Sequence, residues 1–294
     1  MSADRRAAAL RQGVAGREVM VTTPLAHRVS LPVAAKLPTP PRVEFAGVQK
    51  IFQQGDRPIV AVEDLSFTVQ NEEFVSIIGP SGCGKSTALK LLAGLDRPSR
   101  GRILIDGVEV DRPQAKVAFM LQKDLLLPWR TVIGNVTLGL EVQGQPPAAR
   151  RERAMDLIRK VGLDGFEESY PRQLSGGMRQ RVALARTLAV DPEILLLDEP
   201  LSALDYQTKL RMEEELVRIL SEEHKTVLLI THDIAEAVSV SDKVLVCSTR
   251  PGRIKAEHAM PLAKAHSPEA ARNNPEFVHY FDLLWKELKS DVAD

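Results

Sequence analysis

Gly79-Pro80-Ser81-Gly82-Cys83-Gly84-Lys85-Ser86-Thr87 stands between an apolar run, Phe74-Val75-Ser76-Ile77-Ile78, and a helix-forming one, Ala88-Leu89-Lys90-Leu91-Leu92-Ala93. The order strand, glycine-rich loop, helix fits G-x-x-x-x-G-K-[ST]. Small residues let backbone N–H groups curl around phosphate oxygens, and the following helix presents the positive end of its dipole. Lys85 would reach the β- and γ-phosphates of a nucleotide, and the Ser86 hydroxyl would ligate magnesium. The competing reading is a glycine turn that merely starts a helix. Groups suited to phosphate chemistry elsewhere in the chain decide between the two.

Such groups recur where apolar strands end. Ile194-Leu195-Leu196-Leu197 runs into Asp198-Glu199-Pro200, which puts two carboxylates at the C-terminal end of a buried strand, where open α/β sheets bind ligands. Asp198 would hold magnesium through water and Glu199 would polarise the attacking water; the alternative is a pair capping the next helix. Thr226 to Ile230 ends in Thr231-His232-Asp233, and His232 there could hydrogen-bond the γ-phosphate and hold water and base in line. Gln122 follows the apolar run Val117 to Leu121 at the same edge, and its amide can face magnesium, the attacking water or neither. Leu174-Ser175-Gly176-Gly177-Met178-Arg179-Gln180-Arg181 is a second glycine-bearing helix start, capped by Ser175, with Val182, Ala185 and Ala189 on one face. One nucleotide has no need of two phosphate cradles. Two copies of the chain would, if each lends its second cradle to the other's nucleotide.

The remaining sequence sets the frame. A chain of 294 residues with 44% hydrophobic residues can build one large or two smaller cores. Lys plus Arg and Asp plus Glu both number 39, so no overall field draws the chain to nucleic acid or anionic lipid. Cys83 and Cys247 are far apart and show no metal-ligand spacing, which argues against a disulfide scaffold and a zinc site and favours a reducing compartment. No apolar run is long enough to span a bilayer. Residues 1–42 carry seven Arg/Lys against Asp4 and Glu18 and close on Pro38, Pro40 and Pro41; they read as a basic, poorly ordered leader. Val43 to Phe52 and Val60 to Val69 read as strands around the polar turn Gln53 to Pro58, and Gly101 to Gly107 as a strand entering an Asp-Gly turn. Phe52 could stack on an adenine ring or simply belong to the core. From about Asp124 to Gln173 the pattern changes from strands to helices, with Gly162 as a C-terminal stop, and strand signals in βαβ alternation return at Ile194. Phe277, Phe281, Leu284 and Leu288 share one face of a helical tail.

In these residues and their order the chain resembles the nucleotide-binding subunits of ATP-binding cassette (ABC) transporters. The resemblance rests on a Walker A loop at Gly79–Thr87, a Q-loop at Gln122, the signature Leu174–Arg181 and a Walker B strand ending Asp198-Glu199. A D-loop, Ser202-Ala203-Leu204-Asp205, and a switch histidine, His232, follow in family order. It implies an α/β fold, a P-loop NTPase core with a mostly parallel sheet, an antiparallel β subdomain and an inserted helical subdomain at about 124–190. The ATPase domain would span 43–256 and the helical tail 257–294. It further implies ATP as the nucleotide with Mg2+, and a head-to-tail dimer in which Ser175 and Gly177 of one copy touch the γ-phosphate held by the other, with Asp205 among the nucleotide-contacting residues. Glu199, His232, Lys85 and Gln122 would serve catalysis, and Ser86, Gln122 and Asp198 the metal. The partners implied are transmembrane permease subunits and, indirectly, a solute-binding protein, with the chain peripheral on the cytoplasmic face of the cell membrane. Leu127-Pro128-Trp129-Arg130-Thr131-Val132 and Arg250-Pro251-Gly252-Arg253-Ile254 resemble the importers of nitrate, aliphatic sulfonates and taurine. Trp129 would anchor a coupling helix of the permease, unless it is a core residue. Phe52 stands where tyrosine is more usual in the family, which keeps stacking and loses a hydroxyl.

Two rival classes are a soluble cassette ATPase not coupled to transport, acting on DNA or ribosomes, and a nucleotide-binding regulator without turnover. The 90 positions between Lys85 and Ser175 leave no room for a long coiled coil, and neither a second cassette nor zinc spacing is present. Glu199 and His232 argue against the regulator.

Overall fold

A computed structural model describes residues 40–55, 57–262 and 267–290, so the expected leader lies, up to Thr39, outside the described residues. The described chain enters through a hairpin of β1 (Val43–Gln54) and β2 (Arg57–Val69), then runs through β3 (Phe74–Ile78) into α1 (Lys85–Leu92). It returns in β4 (Arg100–Ile105) and β5 (Val108–Glu109) before β6 (Val117–Met120). A helical stretch follows, with α2 (Val132–Val136), α3 (Leu138–Val142), α4 (Pro147–Lys160) and α5 (Gly176–Ala189). Strands β7 (Ile194–Asp198), β8 (Thr226–Ile230) and β9 (Lys243–Cys247) then alternate with α6 (Tyr206–Glu222) and α7 (Ile234–Val240). The last elements are β10 (Ile254–Ala259), α8 (Pro268–Arg272) and α9 (Phe277–Ser290).

These strands form two sheets. One, ordered β2-β1-β4-β5, is antiparallel throughout. The other, ordered β10-β9-β3-β8-β7-β6, is parallel from β9 to β6, with β10 antiparallel at its edge. The expected α/β class is therefore what the chain adopts. Every residue of β3, β7 and β8 is buried, because both faces of the parallel sheet are covered and the strands must be apolar throughout. Alternation along β7 then divides the core: Ile194 and Leu196 pack with Leu89 and Leu92 of α1 and with Phe45 and Phe67, while Leu195 and Leu197 pack with Leu188 of α5 and Leu216 of α6. Each such side chain contributes about 1.5–3 kcal/mol on burial. The carboxyl ends of β3, β7 and β8 are thus anchored in the core on both faces of the sheet.

Some boundaries differ from the sequence reading. The hairpin pairs as far as Gln53↔Pro58 and Gln54↔Arg57, so strand replaces most of the expected polar turn. Pro58 is tolerated because β2 is an edge strand. Arg42, grouped with the leader by composition, donates to Asp106 Oδ1 (2.8 Å) and pairs with Glu193, which ties it to the turn between β4 and β5 and to the residue that precedes β7. The tail expected from residue 257 begins inside β10, which runs to Ala259 with alternating half-buried Ile254, Ala256 and His258. Helix α4 does end at Gly162: in the left-handed region at φ 65, it donates to Arg159 O, and Leu163 donates to Ile158 O, the paired bonds of a Schellman stop. In the tail, Leu284 is fully buried in a cluster with Ile78 and Val246, and Phe277, Phe281 and Leu288 pack against it. Among the described residues no helix is long and apolar enough to cross a membrane.

Candidate active site

Register alone brings the site together. Met120 of β6 pairs with Leu197 of β7, and Leu197 with Leu229 of β8, so Gln122, Glu199 and Thr231 leave three neighbouring strands at the same height. Strand β3 lies against the other side of β8, Ile77 opposite Ile230, and its loop emerges beside them. This is the carboxyl edge where parallel sheets bind ligands.

The phosphate loop enters α1 through Gly84 at φ 101. A Cβ there would lie 2.7 Å from the Ala61 carbonyl oxygen and would take a conformation L side chains avoid. Lys85 opens the helix with its side chain folded over the loop, its ammonium donating to Gly79 O (2.7 Å) and Pro80 O (2.8 Å). A cleft of about 310 Å³ is lined by Ser81, Gly82, Gly84, Lys85, Ser86 and Thr87 on one side and Gln122, Asp198 and Glu199 on the other, with Phe52, Ala61, Ile230 and Arg250 at its margins.

Asp198 is buried and hydrogen-bonded to the Ser86 hydroxyl. Burial pushes its carboxyl above the usual range, Ser86 opposes this, and the neighbouring Glu199 charge raises it further. Glu199 adopts φ 49, a left-handed conformation that costs a non-glycine residue about 1–3 kcal/mol and tends to occur at functional sites. Its N–H is held by Ile230 O at 2.9 Å. Its carboxylate is clasped from two sides: Gln122 Nε2 donates to Oε2 at 3.0 Å, and His232 Nδ1 lies 3.4 Å from Oε1. Three residues read from separate strand ends are therefore one cluster.

The other sequence-derived residues fall around it. Phe52 stands at the cleft rim, 41% exposed and outside the core, with the Lys50 ammonium 5.1 Å from its ring centre. Gly79 and Pro80 supply carbonyls to Lys85. Cys83 faces away from the cleft, buried against Cys247. Both are free thiols, and the Cys247 hydrogen bond, with Lys85 nearby, holds Cys83 below the usual thiol range. Any substrate contact from Cys83 would come from its backbone. Ser175, Gly177 and Asp205 do not line the cleft. Exposed Ser175 caps α5 by accepting from Met178 N (3.3 Å), and Asp205 caps α6 by accepting from Thr208 N (3.1 Å). A Cβ on Gly177 would meet Leu204 at 2.5 Å, and Ala203 N donates to Gln180 Oε1 (3.2 Å), so these two cap regions form one surface.

Trp129 is 72% exposed, which removes the core reading. Its loop is nonetheless fixed: buried Asn135 accepts from Leu127 N (2.8 Å) and donates to the carbonyls of Leu127, Arg130 and Thr131. Arg179 and Arg186 of α5 bind Asp124, which links the stretch after Gln122 to the second glycine-bearing helix. Ala61 and Arg250 are cleft residues that the motif reading did not single out as site residues.

A glycine loop that cradles oxyanions, an oxygen-donor pair behind it and a carboxylate set against an amide and an imidazole suit the transfer of a phosphoryl group to water. The class is thus a nucleoside triphosphatase on a parallel α/β sheet. Residues 62–202 match the ABC transporter family. Over 251 residues the chain is 45% identical to an uncharacterised ABC transporter ATP-binding protein of Methanocaldococcus jannaschii, covering 85% of this chain and 92% of the relative. It is 43% identical to the taurine import ATP-binding protein of Burkholderia thailandensis (84% of this chain, 96% of the relative). Identity to the nitrate import ATP-binding protein of a Synechocystis strain is 42%, covering 84% and 95%. Among solved structures, the dimeric post-hydrolysis state of the ATP-binding cassette MJ0796 bound to ADP and Pi superposes with a TM-score of 0.69 at 33% identity, over 74% of this chain and 98% of that one. The chain belongs to the ABC transporter family as an ATP-binding, ABC-type ATPase, as the motifs implied.

Proposed function

We propose that the chain is the ATP-hydrolysing subunit of an importer for a small anionic or zwitterionic nutrient such as nitrate, an aliphatic sulfonate or taurine. It would act as a head-to-tail pair on the cytoplasmic face of the membrane. The observation that carries the hydrolytic half of this reading is the Glu199 carboxylate, held by Gln122 and His232 at the mouth of the phosphate loop. ATP lies with its triphosphate over the loop and its adenine against Phe52; Lys85 exchanges the Gly79 and Pro80 carbonyls for β- and γ-phosphate oxygens. Glu199 accepts the proton of the attacking water, and His232 orients water and γ-phosphate.

The donor set at the loop suits Mg2+. Ser86, Asp198 and Gln122 offer hard oxygens, and Mg2+ takes few protein ligands beside substrate phosphates. Among the described residues no group of three or more His, Cys, Asp or Glu gathers into a metal cage of its own. When bound, the ion neutralises developing phosphate charge.

The second copy supplies Ser175, Gly177 and Asp205 to the partner's triphosphate. Support comes from their joint surface at the starts of α5 and α6 and from the dimeric cassette structures the chain resembles. The nutrient class follows the relatives named for taurine and nitrate import. A separate solute-binding protein would deliver the cargo.

Trp129 separates this reading from an uncoupled ATPase. An exposed indole on a loop pinned by Asn135 is suited to anchor a membrane partner. Truncating such an anchor costs about 2 kcal/mol, roughly 30-fold in docking affinity. Trp129→Ala, reconstituted in vesicles with the permease, is expected to lose at least tenfold in uptake at subsaturating subunit concentration, while phosphate release by the isolated chain stays within twofold. Unchanged uptake would remove the coupling role.

A further inference from the structure

Among the described residues, the polar contact that His232 makes is with Glu199, and its side chain is 66% exposed. Its position is therefore set by what holds its neighbours. Thr231 Oγ1 donates to Glu236 Oε2 (2.5 Å) and accepts from Asp233 N (3.0 Å). Asp233 Oδ1 caps α7 by accepting from Ala235 N (2.9 Å) and Glu236 N (3.2 Å). Lys209, in the first turn of α6, donates to Asp233 Oδ2 (2.8 Å) and lies 3.2 Å from Glu236 Oε2. One ammonium thus spans the carboxylates that fix both neighbours of His232.

This arrangement is a poor way to gain stability. Glu236 is 3% exposed, and a buried ion pair loses about as much in desolvation as it gains in attraction, so apolar residues of similar volume would do as well. What it does supply is a fixed geometry. A pocket of about 220 Å³ is lined by Glu199 and His232 together with Lys209, Thr231 and Glu236, so the pair borders the hydrolytic cluster directly. Lys209 also comes from the helix capped by Asp205, where the second protomer would dock.

We propose that Lys209 and Glu236 are positioning residues for ATP hydrolysis, clamping the backbone on both sides of His232 so that its imidazole stays against Glu199. The inference rests on the reading of His232 and Glu199 as hydrolytic residues. It deepens that reading by assigning the side chains that hold the histidine in register.

The test compares full-length Lys209→Met, Lys209→Arg, the double variant Lys209→Met/Glu236→Gln and His232→Ala. The readouts are phosphate release at varied MgATP, binding of a fluorescent ATP analogue, and thermal unfolding. Lys209→Met is expected to lower kcat about tenfold with analogue affinity within twofold, and to lower Tm because the buried Glu236 loses its cationic partner. The double variant should regain Tm without regaining kcat, and Lys209→Arg should recover most of both. If the double variant regains kcat together with Tm, the pair is merely structural and the proposal falls; it alone decides should Lys209→Met fail to fold. If His232→Ala keeps full turnover, the underlying reading of His232 fails instead. Loss of turnover in His232→Ala beside full turnover in the Lys209 variants overturns only the positioning role.

Discussion

Glu199→Gln is expected to reduce ATP turnover by about 10²–10⁴-fold, the range a general base contributes, while leaving nucleotide binding intact. The substitution is close to isosteric. The new amide oxygen can still accept from Gln122 Nε2, and the new amide nitrogen can still face His232 Nδ1, so the clasp seen around the carboxylate survives. On the proposed role of Glu199, what disappears is the basic oxygen that would receive water's proton. ATP would then bind, draw two protomers together and not be consumed, so the paired state is expected to accumulate. Light scattering with MgATP should report twice the monomer mass for the variant, where the unsubstituted chain returns to monomer as ATP is spent. A variant that hydrolyses at the normal rate would remove Glu199 from its role, and one that binds ATP yet stays monomeric would remove the head-to-tail pair.

How much of this could be read from residues alone depends on whether the information was local. The phosphate loop and the strand ends were legible because continuous apolar runs stop abruptly at Gly79, Asp198 and Thr231, and polar groups at the carboxyl end of a both-sides-buried strand stand where parallel sheets bind ligands. That Gln122, Glu199 and His232 touch was not legible, since it depends on the register of β6, β7 and β8, which no single strand encodes. Lys209 was hidden for a different reason. It sits in a helix rich in charge, Arg211, Glu213, Glu214 and Glu215 close behind it, which reads as a solvated face; yet Glu213 is fully buried and Lys209 lies between two carboxylates. The Cys83–Cys247 contact was hidden by sequence separation, and composition misplaced Arg42 because proline and arginine mark leaders and ion-paired entry strands alike.

Lys85→Ala is the complementary loss, removing positive charge from the substrate side. Two carbonyls of the loop, Gly79 and Pro80, now share its ammonium at 2.7 and 2.8 Å, so the charge waits over the loop on neutral acceptors. Moving onto phosphate oxygens exchanges neutral acceptors for anionic ones, and hydrogen bonds between charged groups are roughly twice as strong. Part of that gain exists in the bound triphosphate and part grows as charge shifts in the transition state, so both affinity and kcat should fall. By analogy with deleting one preorganised donor, kcat/KM is expected to drop by about 3–4 kcal/mol, or 10²–10³-fold. Loss of the two carbonyl contacts without nucleotide should cost only about 1–3 kcal/mol of folding stability, so the variant remains folded and the kinetic loss is separable by its thermal unfolding. Lys85→Met, which keeps the aliphatic stem over Cys83, should match the alanine variant in kinetics and exceed it in Tm. Turnover near that of the unsubstituted chain in either variant would mean that the loop binds something other than a triphosphate, and the row of strand ends built around it would need another substrate.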